Sequence, residues 1–384
     1  MISFAFTSEQ EDFRRELRRF ATSELSPRYT GRAARAEFAW DAHRQLADLG
    51  VLGIGLPEKY GGTGEPDPIT LGIATEALAY GDVNVAAAPV QVGLVAAQLA
   101  ARGSEAVAGR YVPALIRGEI VAAIAVTEPS AGSDASSLTA VARRGDGGWR
   151  LSGEKIAITH ATSAAIALVY ARDPGSAGAA GISCFLVPLD AAGVTRGAMP
   201  GMGALPLCWG SLSFDDVFVP ADHLVGGEGR GFGGAMHHFD FSRPALGLLC
   251  LGAAQASIDE AVAWAQQREA FGRPIAAFQG VSFPLAEQAT FLEAARWLCY
   301  RALWLRATGL PHTDLAAMCK WWPPQVAKDA IETAWVTHGN LGYSTELPLQ
   351  QRYRDVASYL VADGTAAIQK RIIATHMLGR VAAQ

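Results

Sequence analysis

Apolar positions recur at helical spacing from residue 8 to 49. Phe13, Leu17 and Phe20 share one face, and Leu46 and Leu49 continue the pattern in a second run. Ser8 with Glu11 matches a capping box at the first start. GLPEKYGGTGEPDP, residues 55–68, is too rich in Gly and Pro for either regular period and reads as a loop. Alanine-rich helical sequence returns from 69 to about 117. The period then changes. IVAAIAVTEP (120–129), WRLSGEKIAI (149–158), AAIALVYAR (164–172), ISCFLVPLD (182–190) and SLSFDDVFVP (211–220) are short runs rich in β-formers, separated by turn clusters such as RRGDGG and DPGSAGAAG. Strands so spaced, with no helices between them, predict a small antiparallel barrel or sandwich rather than a parallel α/β sheet. From about 240 the helical period resumes, with Leu285, Ala289, Leu292, Ala295 and Cys299 on one face. The predicted order is α, β, α: an N-terminal helical domain over 1–120, a central β domain over 121–228 and a helical bundle over 229–384.

Composition sharpens this picture. A chain of 384 residues is long enough for two or three packed sub-domains. Hydrophobic residues are 50% and charged residues 18%, against about 25% charged in an average soluble domain. More apolar surface is available than a monomer hides, which predicts a homo-oligomer. A net charge of −5 gives no footprint for nucleic acid, and the basic run RRELRR at 14–19 reads as a solvated helix face. Five scattered cysteines without CxxC spacing fit reduced thiols in the cytoplasm, not disulfides or a zinc site. MISFAFTSEQEDF acquires acids too early for a secretory leader. The most apolar stretches, 85–101 and 244–254, are interrupted by Pro and Gln or too short, so no membrane span is expected.

Several motifs carry little weight alone. GRGFGG at 229–234 satisfies GxGxxG but lacks a βαβ setting, and a flexible hinge between barrel and helices is the expected role. GYSTE at 342–346 lacks the second glycine of a nucleophile elbow, and the eight histidines contain no HExxH. YLVADGTAAIQ, 359–369, poses a sharper choice. Asp363 before Gly364 and Thr365 could cap a helix or take a proton from a substrate.

Five segments in one order decide how that choice is framed: AVTEPSAGSD (125–134), GEKIAITHA (153–161), QREAFGRPIAAFQ (267–279), HGNLGY (338–343) and RYRDVASYLVADGTAAIQ (352–369). With them the chain resembles the acyl-CoA dehydrogenase family of flavoproteins over essentially its whole length. The resemblance implies a mainly α fold with a central β domain: N-terminal helices, a small antiparallel β barrel and a C-terminal four-helix bundle, assembled as a homotetramer. It implies FAD as cofactor, no metal, and an acyl-CoA or acyl-carrier thioester as substrate, with an electron-transferring flavoprotein as acceptor. Val126 and Thr127 would lie on the flavin, Ser133 between flavin and thioester, and Thr159 near flavin N5, with Thr365 a further cofactor contact. Arg268, Phe271 and Gln279 would reach the FAD of a neighbouring subunit, Arg268 near the pyrophosphate, with His338 and Gly339 on that side. Asp240 and Arg243 match positions near the thioester arm, and Ala362 and Gly364 flank the base.

In most family members that base is Glu at the position of Asp363; a smaller group places Glu just before the arginine matching Arg243, where this chain has Ser242. Asp363 is therefore the implied base, with its backbone N–H donating to the thioester oxygen and Arg243 favouring the carboxylate. Asp is one methylene shorter than Glu. Ala362 stands where a large residue is common, and Ala86 to Ala88 are small on a segment that walls the acyl chain. Both changes imply a bulky, branched or cyclic acyl group. Ala157, Val336 and Asn340 depart from the family pattern near the cofactor. Two alternatives stay open: a flavin oxidase of the nitroalkane oxidase type, which shares the fold and uses Asp, and an idle subunit of a mixed oligomer.

Overall fold

The structure, a computed structural model, describes residues 5–379. Residues 1–4, part of the stretch on which the leader was judged, and 380–384, the end of the predicted bundle, lie outside the described residues. The first helix, α1 (Ser8–Phe20), is capped one residue earlier than its pattern implied. Thr7 Oγ1 accepts from the Gln10 N–H at 3.2 Å while Gln10 Oε1 accepts from the Thr7 N–H at 3.2 Å. The box is Thr7–Gln10 rather than Ser8–Glu11, and Glu11 instead pairs with Arg14 at 2.8 Å. The chain then runs through α2 (Tyr29–Ala33), α3 (Trp40–Asp48), α4 (Pro68–Ala79), α5 (Ala88–Arg102) and α6 (Glu105–Ile116). Asp67 caps α4 by accepting from the Thr70 N–H at 2.9 Å, just ahead of Pro68 at the first helical position. Leu17 and Leu46 are buried, as their spacing predicts. Leu49 is 44% exposed, because α3 has ended and Gly50 turns the chain away at φ 73°.

One sheet follows: β1 (Ala122–Ala125), β2 (Val141–Gly145), β3 (Gly148–Ile158), β4 (Ile166–Arg172), β5 (Ile182–Pro188), β6 (Val194–Ala198), β7 (Gly210–Pro220) and β8 (Leu224–Val225). Pairing runs β6–β7–β3–β2–β4–β5–β8, with β1 on β4. Most ladders are antiparallel, as expected, but β1 and β2 each pair with β4 in parallel. A parallel pair needs a long connection, and residues 126–165 supply it between β1 and β4. That connection carries two of the five motifs. Trp149, Phe185, Leu212, Phe214 and Val217 fill the core enclosed by the sheet.

The C-terminal part places α7 (Gly231–Gln267), α8 (Gln279–Ala307) and α9 (Thr313–His338) side by side, followed by α10 (Asn340–Tyr343), α11 (Leu349–Ala357) and α12 (Ala366–Leu378), the last packed on α9. α7 also packs on α4, so the first and last helical parts share one core. Gly252 permits that approach, since a Cβ there would sit 2.3 Å from the Glu76 carbonyl oxygen on α4; Gly247 does the same for α8, where a Cβ would sit 2.7 Å from Cys299 Sγ. On α8, Leu285, Leu292, Ala295 and Cys299 are buried, whereas Ala289 is exposed. The GRGFGG segment, expected to be a hinge, is pressed against β5: a Cβ on Gly231 would meet the Ser183 carbonyl carbon at 2.6 Å. All five cysteines are buried and free. Val85–Arg102 and α7 are long and apolar enough to cross a bilayer, but 61% and 78% of their apolar windows are buried within the molecule, as in core helices.

Where α3, the Asn84–Ala88 turn and the sheet's loops meet lies a small cavity of about 20 Å³, lined in part by Phe38, His43, Asn84, His160 and Pro206. It has room for one water. Asn84 Oδ1 has no partner among the described residues. Burial pushes His43 down to about 4, opposed by the Ile120 backbone carbonyl and reinforced by the Arg44 charge, and His160 down to about 3, with His43 adding. Both values fall below the unfolded histidine, near 6.5, so the folded state binds fewer protons. Their contribution is complete above about pH 6.5 and is lost as pH falls through 4 and 3. Asp82, raised to about 6 by burial, runs the other way: it favours the folded state below its unfolded value and loses that contribution by about pH 6. The urea midpoint is expected to decline from pH 6.5 to 4 in the wild type and to decline less in His160→Asn. Parallel declines would contradict the assignment to His160.

Candidate active site

Asp363 answers the question its sequence raised. It does not cap α12: Thr365 occupies the N-cap position, at φ −62° and ψ 162°, without a side-chain cap. Asp363 itself adopts the left-handed conformation, φ 53°, which Asp tolerates better than most residues, and Gly364 follows at φ 93°. Gln369 fixes this turn from behind, with Nε2 donating to the carbonyls of Asp363 at 3.1 Å and Gly364 at 3.3 Å. A Cβ on Gly364 would lie 2.6 Å from that Nε2, so the clamp needs glycine there. The Asp363 carboxylate is half-buried, and its Oδ2 accepts from Ser242 Oγ at 2.9 Å. Among the described residues, Oδ1 meets no donor and the Asp363 N–H no acceptor. Both remain available to a ligand.

Two buried cations face this carboxylate. Arg243, 5% exposed, pairs with Asp240 Oδ1 at 3.0 Å, while Asp240 Oδ2 accepts from Thr313 Oγ1 at 2.7 Å. Arg243 Nε has no partner among the described residues. Lys320, 1% exposed, donates to the Tyr359 carbonyl at 2.6 Å. Burial lowers both cations' pKa values, and the Asp363 charge partly offsets this in each, alongside Asp240 for Arg243. The structure thus gathers Asp240, Ser242, Arg243, Ala362, Asp363, Gly364 and Thr365 around one turn. Sequence reasoning missed Lys320, since a lysine on an apolar helix face carries no motif, and missed the role of Gln369, which closes the 352–369 motif but gives no local sign of the backbone it clamps.

The connection between β1 and β4 forms a second surface. Val126 is buried, Thr127 and Thr159 are half-buried, and Ser133 is exposed. A buried ion pair holds this surface in shape: Lys155 Nζ meets Glu128 Oε1 at 2.7 Å and the Val126 carbonyl at 3.0 Å. Glu128 also accepts from the Thr139 N–H, the Thr139 hydroxyl and the Ala140 N–H at 2.6, 2.7 and 2.9 Å. Burial pushes the Glu128 carboxyl up, but Lys155 and these donors outweigh it and hold the pKa below its ordinary value. Both partners sit inside quoted motifs, 27 residues apart, so only the fold could reveal the pair. Ala157 is exposed at φ 54° in the irregular end of β3.

The third group lies at the far end of α7. Phe271 is 93% exposed at φ 52°, at the tip of a hairpin formed by β9 (Glu269–Ala270) and β10 (Arg273–Pro274), with Arg268 and Gln279 exposed on either side. Arg268 Cζ stands 6.0 Å from the Trp264 ring, which in turn stacks on His338 at 5.2 Å. Trp264 thereby joins Arg268 to the His338–Gly339 turn, a link the sequence did not suggest. No hydrogen bond, ion pair or ring contact joins this group to Asp363, Thr127 or Thr159 within one chain among the described residues. Beside it a groove of about 550 Å³ runs between α8 and α9, lined by Gly280, Gln288, Val336 and Thr337 and also by the carboxylates Asp329 and Glu332, so a phosphate belongs at the Arg268 edge and not in the groove. Gln288 Oε1 is buried there without a partner. An unpaired acceptor, an exposed guanidinium and an exposed aromatic ring at one edge suit a nucleotide tail, and the Thr127–Thr159 surface suits a flat ring with a polar rim. The residues of each surface have the chemistry that the expected dinucleotide needs.

Three family models match this chain in order: "Acyl-CoA dehydrogenase, N-terminal domain" over residues 7–119, the middle domain over 123–217 and the C-terminal domain over 229–378. A Bacillus subtilis protein named acyl-CoA dehydrogenase is 35% identical over 380 residues, 97% of this chain and 99% of its own length. Benzylmalonyl-CoA dehydrogenase of Aromatoleum aromaticum is 34% identical over 382 residues, 98% of this chain and 100% of its own. The solved butyryl-CoA dehydrogenase of Megasphaera elsdenii superposes with a TM-score of 0.94 at 34% identity, covering 98% of this chain and 100% of that one.

Proposed function

The chain belongs to the acyl-CoA dehydrogenase family, and we propose that it introduces an α,β double bond into a branched or cyclic acyl-CoA with Asp363 as the base. It is an FAD-dependent oxidoreductase that acts on acyl thioesters. The observation that carries the base assignment is the state of Asp363: half-buried, one carboxylate oxygen fixed by Ser242, the other unengaged, and two buried cations facing it. Oδ1 takes the proton from the carbon next to the thioester. The Asp363 N–H donates to the thioester oxygen as negative charge develops there, so the same residue removes the proton and stabilises what remains. Bound FAD would supply the hydride acceptor for the next carbon; Val126, Thr127, Ser133, Thr159 and Thr365 would hold it on one side, and Arg268, Phe271, Gln279, His338 and Gly339 of a neighbouring copy on the other. Asp240 and Arg243, locked to each other, line the thioester arm.

Ala362 supports the bulky acyl group. It is exposed beside the base and puts no ring into the space a branched acyl group needs. The part assigned to Ala86–Ala88 narrows: Ala86 is fully buried and Ala88 lines the His43–His160 cavity. An electron-transferring flavoprotein is the proposed acceptor. A cytoplasmic homotetramer is the proposed assembly, favoured by the exposed Phe271, Phe283, Val336 and Tyr343 and by five free thiols.

The test is an anaerobic titration of the purified flavoprotein with linear, branched and cyclic acyl-CoAs, following flavin absorbance. Branched or cyclic compounds are expected to bleach it with the highest kcat/KM. Ala362→Tyr is expected to lower kcat/KM for them by about tenfold or more while sparing straight chains. Straight chains as the best wild-type substrates would overturn the acyl-group assignment. Bleaching by nitroalkanes with rapid reoxidation in air, and none by acyl-CoAs, would overturn the substrate class.

A further inference from the structure

Ser242 occupies the place where part of the family carries a carboxylate base, and it has no acid–base capacity of its own at neutral pH. Its setting gives it another use. Ser242 is fully buried in α7, and its hydroxyl lies 2.9 Å from Asp363 Oδ2 and 3.3 Å from the Phe239 carbonyl. One hydroxyl proton serves one of these, and the shorter, charge-assisted contact to a carboxylate is the stronger. The cations nearby do not compete for this role. Arg243 directs Nη1 to Asp240, and Lys320 directs its ammonium to the Tyr359 carbonyl. Gln369 holds only the backbone of the turn. Ser242 is therefore the one side chain among the described residues that donates to the Asp363 carboxylate.

We propose that Ser242 is a positioning residue: its hydroxyl fixes Oδ2 of Asp363 and leaves Oδ1 as the oxygen that takes the substrate's proton. This rests on Asp363 being the base. A short carboxylate reaches its proton only if its terminal torsion is set, because that torsion is otherwise broad and nearly two-fold. The donor sits on α7, a helix packed against α4, α8 and α9, so the oxygen is held by an element fixed on three sides. Among the described residues, the groups whose charge interacts with Asp363 or its partners include Asp240 and Arg243 from α7, Lys320 from α9 and Tyr359 from the turn before Asp363; none of them changes in the variants below.

The experiment compares wild type, Ser242→Ala, Ser242→Thr and Asp363→Asn as FAD-loaded proteins. Anaerobic stopped flow reads the rate of flavin bleaching against substrate concentration, and infrared difference against Asp363→Asn reads the carboxylate stretching band of the substrate-free proteins. Ser242→Ala is expected to bleach about tenfold more slowly at saturating substrate, with the half-saturating concentration little changed. Its carboxylate band should move, because that band reports the hydrogen bond to Oδ2. Flavin content should not change, and Ser242→Thr should restore both values. An unmoved carboxylate band in Ser242→Ala, with Asp363→Asn inactive, would overturn the positioning role and leave the base in place. Slower bleaching with no band shift and no rescue by Thr would make Ser242 a packing residue only. Undiminished bleaching in Asp363→Asn would remove the base itself, whatever Ser242 does.

Discussion

Asp363→Asn is expected to reduce flavin bleaching by acyl-CoA about 10²- to 10⁴-fold while FAD stays bound. Asn keeps the size of the side chain and can still accept from Ser242, but its amide takes no proton. The turn should survive, because Gln369 holds the backbone carbonyls of residues 363 and 364 rather than the carboxylate. Reduction by dithionite should therefore be unaffected, which separates loss of the base from loss of the cofactor. Asp363→Glu is the informative companion. One added methylene moves the carboxylate past the position that Ser242 fixes and toward the room left by Ala362. Activity should persist, with preference shifted toward straight-chain substrates by about tenfold. Equal loss in Asn and Glu variants would mean that the turn, not the carboxylate, carries the effect.

The largest stability effect is expected at Asp355, in the same motif but away from the chemistry. It is fully buried and accepts from Tyr29 Oη at 2.6 Å, Asn84 Nδ2 at 2.8 Å, the Ala204 N–H at 2.6 Å and Gln351 Nε2 at 2.8 Å. These donors come from the N-terminal helices, the loop between β6 and β7, and α11, so one carboxylate ties together segments far apart in the chain. Burial raises its pKa above the ordinary value, and the four donors only partly counter it. Asp355→Ala leaves four buried donors unpaired and should cost about 3–5 kcal/mol in urea unfolding. Asp355→Asn should cost less, since one amide oxygen still accepts. A loss below about 1 kcal/mol in the Ala variant would show that water or local rearrangement replaces the carboxylate.

What could be read from the chain beforehand follows a physical division. Long periodic segments were legible: the α4–α6 and α7–α9 regions, and strands such as IALVYAR that are buried along almost their whole length. VARRG and VTRGA, which form β2 and β6, were missed because their charges and glycines conceal them; their strand character comes from pairing with β3 and β7. Parallel pairing of β1 with β4 left no local mark, since it depends on where a 40-residue connection returns the chain. The cap of α1 slipped by one residue because Thr7–Gln10 and Ser8–Glu11 satisfy the same pattern and only geometry separates them.

At the site, Asp363 was legible as a member of a motif, and the structure removes its competing use as a helix cap. Ser242 was set aside because it lacks a carboxylate. Its contact with Asp363 spans 121 positions and becomes visible only when α7 and the turn before α12 meet. Trp264, between Arg268 and His338, is of the same kind: an aromatic residue on a helix acquires meaning only from what it stacks on.

Proton removal by Asp363 can be read most directly by deuterium exchange at the carbon next to the thioester, followed by NMR or mass spectrometry. The protein carries FAD, D₂O is the solvent, and the substrate is a branched acyl-CoA. The account predicts exchange in the wild type and a fall of about 100-fold or more in Asp363→Asn. Exchange at the wild-type rate in Asp363→Asn would contradict it, and the base would have to be sought elsewhere.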